Sequence, residues 1–445
     1  MIKKLLNIAI CLIFLTPSTV QAQQEPYRVA LMVPLYLDQV DDAFLDADPN
    51  NTLLEAKPFS FLQFYEGFMI AADSVVSGRG MNLDLKVYDV DKDPNKVEEV
   101  LSDPWLADAD LIVGPFHSQP FDKVKEFATA YNIPIVNPIT TRSVVVDNAP
   151  NVIKVMPSAE GQLDILANVI KRYYHSNNVF VVREDDNCDM QIVNRIKEVA
   201  KQNIDSCTYL SNRQLVKDLQ NLQKKAKNRG TTIDLTNYKT DNVWLNVDVL
   251  NDNLDGETAF VNQVVTANYE RDSLRFIKNY GSSIRNNLFI VYGDSKVFAN
   301  EAVNKITKLV SSYPLTVIML PNWSKFDDLF NDNLMKIKAI YFDAEYIDYE
   351  HIRTESFICK FRNSYGTEPL DKAYMGFDIG WYFLNGLNIF GDKMIENLPY
   401  YDIPLLHTQF RFVKKSENSG LENMFWNVYQ FKSYNKVVLK TGYEN

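Results

Sequence analysis

Histidine and cysteine are scarce in this 445-residue chain, with four of each. The histidines, at 117, 175, 351 and 407, stand far apart. No spacing of them with cysteine builds a zinc site, so a metal centre is not expected. The phosphate- and nucleotide-binding glycine signatures are missing too: there is no G-x-x-x-x-G-K and no G-x-G-x-x-G after the first strand. A nucleophile elbow G-x-S-x-G and an H-E-x-x-H pair are also lacking. Catalysis therefore has no positive signal and no cofactor is expected. Positive charge is in deficit: 46 Lys and Arg stand against 57 Asp and Glu, a net charge of -11. Nucleic acid and anionic membrane surfaces, which need basic patches, are poor partners for such a chain. Beyond the N-terminus no apolar run reaches the length of a spanning helix, about 18 residues.

The N-terminus itself carries Lys3 and Lys4, an apolar run from Leu5 to Leu15, and then Val20-Gln21-Ala22. This is the pattern of a secretory signal peptide with a V-x-A cleavage site. The expected mature chain begins near Gln23 and is soluble and periplasmic. Lipidation at Cys11 is the competing reading, opposed by Ile10 where a small residue is wanted. In an oxidising compartment Cys188 and Cys207 could pair across a short loop, leaving Cys359 over; three isolated thiols are the alternative.

What is present is a repeated α/β rhythm. Apolar runs at 28–34, 83–88, 111–113 and 133–136 read as strands, with helical periodicity between them at 61–76, 95–101 and 121–131. A second series follows, with strands at 179–183, 259–265, 288–291, 315–320 and 337–342 and helices at 159–174, 190–202, 269–280 and 298–312. Wholly apolar strands alternating with helices mean parallel sheets covered on both faces. Residues 203–257 interrupt the second series and read as an insertion, its cluster of Lys224, Lys225, Lys227 and Arg229 being a solvated helix end. Helical faces return at 357–365 and 373–390, and the tail from Thr408 alternates as an antiparallel ribbon around Asn418-Ser419-Gly420. The expected fold is α/β, two doubly wound parallel-sheet domains facing a cleft. Domain one takes 26–155 plus 345–395; domain two takes 156–343 plus 396–445.

Several strings in order carry a family resemblance: Val33-Pro34-Leu35-Tyr36, Phe64-Tyr65-Glu66-Gly67, Tyr88-Asp89-Val90-Asp91, Asp110-Leu111-Ile112-Val113-Gly114-Pro115, Ile133-Pro134-Ile135-Val136-Asn137-Pro138, Val155-Met156-Pro157-Ser158, and later Tyr374-Met375-Gly376-Phe377-Asp378. Together they resemble the type I periplasmic solute-binding proteins of the branched-chain amino acid ABC transporter kind, most closely the Bacteroidetes branch, some of whose members are linked to peptidoglycan-binding LysM modules. The resemblance implies a small-molecule ligand held between two domains, an inner-membrane permease or sensor as partner, and no enzymatic activity. It places ligand contacts on the loops beyond the strand ends, where helix N-termini converge. His117, Ser118, Thr140 and Thr141 are the expected contacts on the first domain, with Tyr36 walling the cleft or simply packing. Ser118 and Thr141 equally suit helix caps. On the second domain the corresponding loops are 184–187, 266–269 and 293–295. Their candidates are Asn268, Tyr269 over an apolar group, and Asp294 toward an ammonium or as an N-cap. Asp185 and Asp186 read as solvated turn acids rather than a catalytic pair. Phe116 and His117 replace the serine- and threonine-rich run of the amino-acid binders, so the ligand is left open among amino acid, peptide and cell-wall fragment. The alternative is an envelope scaffold or regulator with a degenerate cleft, working with cell-wall components.

Overall fold

In the computed structural model the described residues are 25–40, 59–185, 187–204, 224, 227–228, 230, 243–246, 262–272, 274–275, 277–326, 329 and 331–440. The leader at 1–22, Cys11, Cys207, Lys225, Arg229 and Asp186 lie outside them.

The apolar runs become two sheets. The first has seven strands in the order β12-β13-β5-β4-β3-β1-β2. Its parallel centre comprises β1 (Tyr27–Val33), β2 (Leu83–Asp89), β3 (Leu111–Val113), β4 (Ile135–Asn137) and β5 (Val152–Lys154). The second has eight strands, β15-β14-β11-β10-β9-β6-β8-β7. Here the parallel centre is β6 (Asn178–Arg183), β8 (Asn262–Asn268), β9 (Asn287–Tyr292), β10 (Leu315–Leu320) and β11 (Ile340–Asp343). β7 (Val243–Asn246), from the expected insertion, pairs antiparallel with β8. Strands such as β6, β9 and β10 are buried at every position because helices cover both faces, which is why they read as unbroken apolar runs.

The covering helices used below are α1 (Leu62–Arg79), α2 (Pro94–Leu101), α3 (Ser118–Ala130), α4 (Ala159–Val169), α5 (Met190–Asn203), α6 (Lys296–Thr307), α7 (Ile352–Tyr365) and α8 (Asp371–Phe390). The stretch 269–280, expected as one helix, is two single turns, Tyr269–Asp272 and Ile277–Tyr280. Helices α1 and α8 approach to backbone contact. A Cβ on Gly67 would lie 1.9 Å from the Ala373 carbonyl oxygen, and one on Gly376 would lie 2.0 Å from that of Phe64.

The chain passes between the sheets at 155–158, at 344–351 and at 424–426. Side chains and backbone tie these passages together. Asn423 Nδ2 donates to the Val155 carbonyl at 2.9 Å, Trp426 Nε1 to that of Ser158 at 3.2 Å, and Thr408 Oγ1 to that of Ala344 at 2.9 Å. Below them a buried ion pair joins Lys154 and Glu422 at 3.1 Å, and Lys415 reaches the other oxygen of Glu422 at 2.7 Å.

The tail divides in a way the alternation pattern did not foretell. Expected wholly on the second domain, it first joins the first sheet: β12 (Phe412–Lys414) and β13 (Leu421–Asn423) form a hairpin, and β13 pairs parallel with β5. Only β14 (Asn427–Lys432) and β15 (Asn435–Val438) add to the second sheet, antiparallel to β11. Phe410 and Phe412 explain the difference, since both bury against Tyr382 and Phe383 of α8 beneath the first sheet. Cys188 is a half-buried free thiol whose ionisation burial disfavours, and Cys359 is an exposed one.

Candidate functional site

The loop after β1 is fixed by one carboxylate. Asp89, at the end of β2, accepts from the backbone N–H groups of Leu35, Tyr36 and Leu37 at 2.8, 2.9 and 3.0 Å. Lys96 of α2 bridges Asp89, Asp91 and Asp38, and these three partners raise its pKa against the opposing effect of burial. Tyr36 is thereby held in the left-handed region at φ 51° and is buried. Burial raises its hydroxyl pKa, with Asp91 and Asp89 adding to the effect. Its oxygen meets His117 Nε2 at 2.9 Å, so Tyr36 packs under the loop and steadies the histidine.

His117 follows a tight turn. Gly114 sits at φ 92°, and a Cβ there would fall 2.2 Å from the Met32 carbonyl oxygen, so β3 can leave the sheet only through glycine. Phe116 turns inward against Phe61 and Phe64, at 4.9 and 4.7 Å between ring centroids. His117 then takes the N-cap position of α3 without a side-chain cap, and Ser118 is the first helical residue rather than the cap. Pro120 has no N–H to offer. The backbone N–H groups of Ser118 and Gln119 are thus the free donors of a thirteen-residue helix.

Across from this helix start, Asn137 closes β4 and shapes the next loop. Its Oδ1 accepts from the Ile139 and Thr140 N–H groups at 3.2 and 2.9 Å. Thr140 Oγ1 accepts weakly from the Arg142 N–H at 3.3 Å, and Arg142, not Thr141, precedes the following helical turn. Between the two loops lies a cavity of about 370 Å³. It brings together Ser118, Thr140 and Thr141 with Asn137, Lys125 and Arg142. Asp122 also lines it and sits 3.4 Å from Lys125. Two cations and two uncapped N–H groups against one carboxylate make its wall suited to an anionic group.

The second-sheet candidates do not line this cavity. Asn268 ends β8 and is buried. Tyr269 lies in the core over Phe298 at 5.1 Å, with Lys305 Nζ 4.6 Å from its ring and Glu301 3.4 Å from its hydroxyl. Asp294 is exposed, but Ser295 is the N-cap of α6, accepting from the Phe298 N–H at 3.3 Å. Glu184 accepts from the N–H groups of Asp294 and Ser295 at 3.2 and 3.3 Å and so shapes that loop. Asp185 accepts from the Asn187 N–H at 2.8 Å, a turn acid. Among the described residues no group of His, Cys, Asp and Glu is arranged to hold a metal ion. Nor is any helix among them long and apolar enough to cross a membrane.

Reading motifs one loop at a time misses Lys125, Asp122 and Arg142. Helical spacing offered a signal for two of them, since positions 118, 122 and 125 share one face of α3.

A family model described as the receptor family ligand binding region matches residues 69–235. No protein of curated function matches the sequence. Among solved structures, one assigned as a branched-chain amino acid ABC transporter from Rhodospirillum rubrum superposes with a TM-score of 0.58 at 11% identity, over 93% of this chain and 100% of the other. A branched-chain amino acid ABC transporter periplasmic ligand-binding protein from Burkholderia xenovorans gives 0.50 at 9%, over 93% and 94%. The C-domain of LpoA from Haemophilus influenzae, a regulator of PBP1A, gives 0.50 at 14%, over 93% and 100%. Identities this low speak to fold alone, and the two sheets with their flanking helices agree with them: this chain has the type I periplasmic binding protein fold.

Proposed function

We propose that the protein is an extracytoplasmic binding protein that captures a small polar solute bearing a carboxylate, without transforming it. The observation that carries this reading is the cavity at the carboxyl ends of β3 and β4. There the uncapped N-terminus of α3, Lys125 and Arg142 converge beside the hydroxyls of Ser118, Thr140 and Thr141. In open parallel sheets this end of the strands is where ligands sit, and a helix N-terminus favours an anion. The second sheet would close over the solute from the loops bearing Asn268 and Asp294, and an inner-membrane permease or sensor would receive the closed form. The family match and the transporter structures support a binding role rather than an enzymatic one.

The test is a thermal-shift screen of the mature protein against amino acids, short peptides and muropeptides. A solute of this kind raises Tm in a concentration-dependent way, by about 2.7 kcal/mol of stabilisation at a hundredfold excess over Kd. Arg142→Ala combined with Thr140→Ala should weaken the effect about tenfold or more. A second reading, a scaffold of the envelope that works with cell-wall enzymes, is favoured by the likeness to the LpoA C-domain and by Tyr269 being packed away in the second core. If no solute stabilises the protein and the double variant retains its cellular role, the scaffold reading replaces the first.

A further inference from the structure

A larger cavity than the one at the strand ends lies elsewhere, as a groove of about 780 Å³ between α7, α8 and the end of α1. Along α8 it is lined on one helical face by Phe377 and Trp381, then by Asn385 and Asn388, and at the far end by Ile389. Phe377 and Trp381 stack at 6.0 Å with 7° between their planes. This face runs over thirteen residues of α8, about 18 Å of helix axis. Ile352 of α7 and Ile389 border it at 71% and 60% exposure, large apolar surface that the fold itself leaves uncovered.

Charge sets this groove apart from the rest of the molecule. Arg79, Arg353 and Lys360 line it, and no lining residue is acidic, although the chain as a whole carries -11. Among the described residues none of the three forms an ion pair: Arg79 lies 6.0 Å from the centre of the Trp381 ring, and Lys360 reaches only the Ser74 hydroxyl at 3.3 Å. A largely apolar groove about three helical turns long, flanked by cations that have no ion-pair partner among the described residues, is the complement of an amphipathic helix with acidic flanks, a mode in which apolar residues at i, i+4 and i+7 enter a groove. A small solute would cover only part of an 18 Å stripe and leave the outlying isoleucines wet.

We infer that this groove is a docking site for an acidic amphipathic helix of a partner protein, about three turns long. The inference does not depend on the cavity at the strand ends, which shares no lining residue with the groove.

The probe is a fluorescein-labelled peptide of about fourteen residues with leucines at helical spacing and glutamates between them, compared by anisotropy with the same peptide carrying lysines for the glutamates. The glutamate peptide should bind the full mature protein about tenfold or more tightly than the lysine peptide in dilute salt, and the gap should narrow as salt screens it. Arg353→Glu with Lys360→Glu, both at exposed positions, should reverse the preference while leaving Tm and circular dichroism unchanged. Trp381→Ala should weaken both peptides. Equal binding of the two peptides, or a preference that the charge reversal leaves intact, would overturn the inference. So would tight binding of dodecanoate by a protein that binds neither peptide, since that assigns the groove to a small amphiphile.

Discussion

Lys154 and Glu422 are fully buried beneath the passage between the sheets, yet they are not equivalent partners. Glu422 is served twice, by Lys154 at 3.1 Å and by Lys415 at 2.7 Å. Among the described residues Lys154 has Glu422 as its one ion-pair partner, plus the Met156 carbonyl. Burial would push the Glu422 carboxyl up, but Lys154 and Lys415 hold it below its ordinary range. Removing the glutamate strands a buried ammonium, a loss of about 3–5 kcal/mol, whereas removing the lysine leaves a carboxylate still paired with Lys415. Chemical denaturation at neutral pH should therefore rank Glu422→Gln as more damaging than Lys154→Met. Equal losses would mean that Lys415 contributes nothing. The Glu422 contribution is present above the ordinary carboxylate pKa and disappears as pH falls through its lowered value, so the cost of Glu422→Gln should shrink in acid.

At the level of elements, α1 and α8 meet through glycines, and this is the tightest helix contact of the first domain. A methyl at Gly376 has a backbone carbonyl 2.0 Å away, which no rotamer change relieves. Gly376→Ala must part the two helices, and overpacking of this kind costs about 1–3 kcal/mol or more. Its Tm should fall well below that of Gly366→Asn, at the left-handed C-terminal glycine of α7, where asparagine tolerates the same backbone and nothing lies within 4 Å. A small effect of Gly376→Ala would mean that the two helices part at little cost and that the glycine contact contributes little to stability.

Much of this level was legible in the sequence. β6, β9 and β10 fall within a residue of their apolar runs, because a strand buried on both faces has little polar interruption, and the half-buried edge strand β2 was legible instead from its alternation of polar and apolar residues. β5 was not legible as a strand, being only Val152–Lys154 with a lysine inside it, and that lysine is admissible only because Glu422 arrives from 268 residues away. The candidate site divides along the same line. Ser118, Thr140 and Thr141 could be read from strand ends, while Tyr269 could not be told from a core residue. Its fate depends on where α6 packs, which no local pattern states.

Across the whole molecule, the second passage between the sheets meets α8 at one buried histidine. His407 Nδ1 lies 2.7 Å from Asp378 Oδ2 of α8, and the same carboxylate accepts from the N–H groups of Leu406 and His407 at 2.7 and 2.9 Å. The His407 carbonyl accepts from the Tyr346 N–H at 2.6 Å, and its Nε2 stands 4.0 Å from Glu345, both residues lying on the passage after β11. Burial works against the charged imidazole. The hydrogen bond and charge of Asp378, with Glu345 and Asp371 behind it, outweigh that and raise its pKa above 6.5. A raised histidine pKa stabilises the fold fully below the unfolded value, and that contribution is lost as pH rises through the folded one. Glu345 pulls the same way: burial raises its pKa, so forcing it to ionise also weakens the fold with rising pH. Denaturation midpoints of the wild type and His407→Gln should consequently differ most below pH 6.5 and converge as pH rises. A residual difference should remain, because neutral His407 can still donate to Asp378. A gap between the two proteins that does not change from pH 5.5 to 8.5 would mean that the imidazole binds its proton equally well in the folded and unfolded chain, so that Asp378 gives the charged form no net stabilisation.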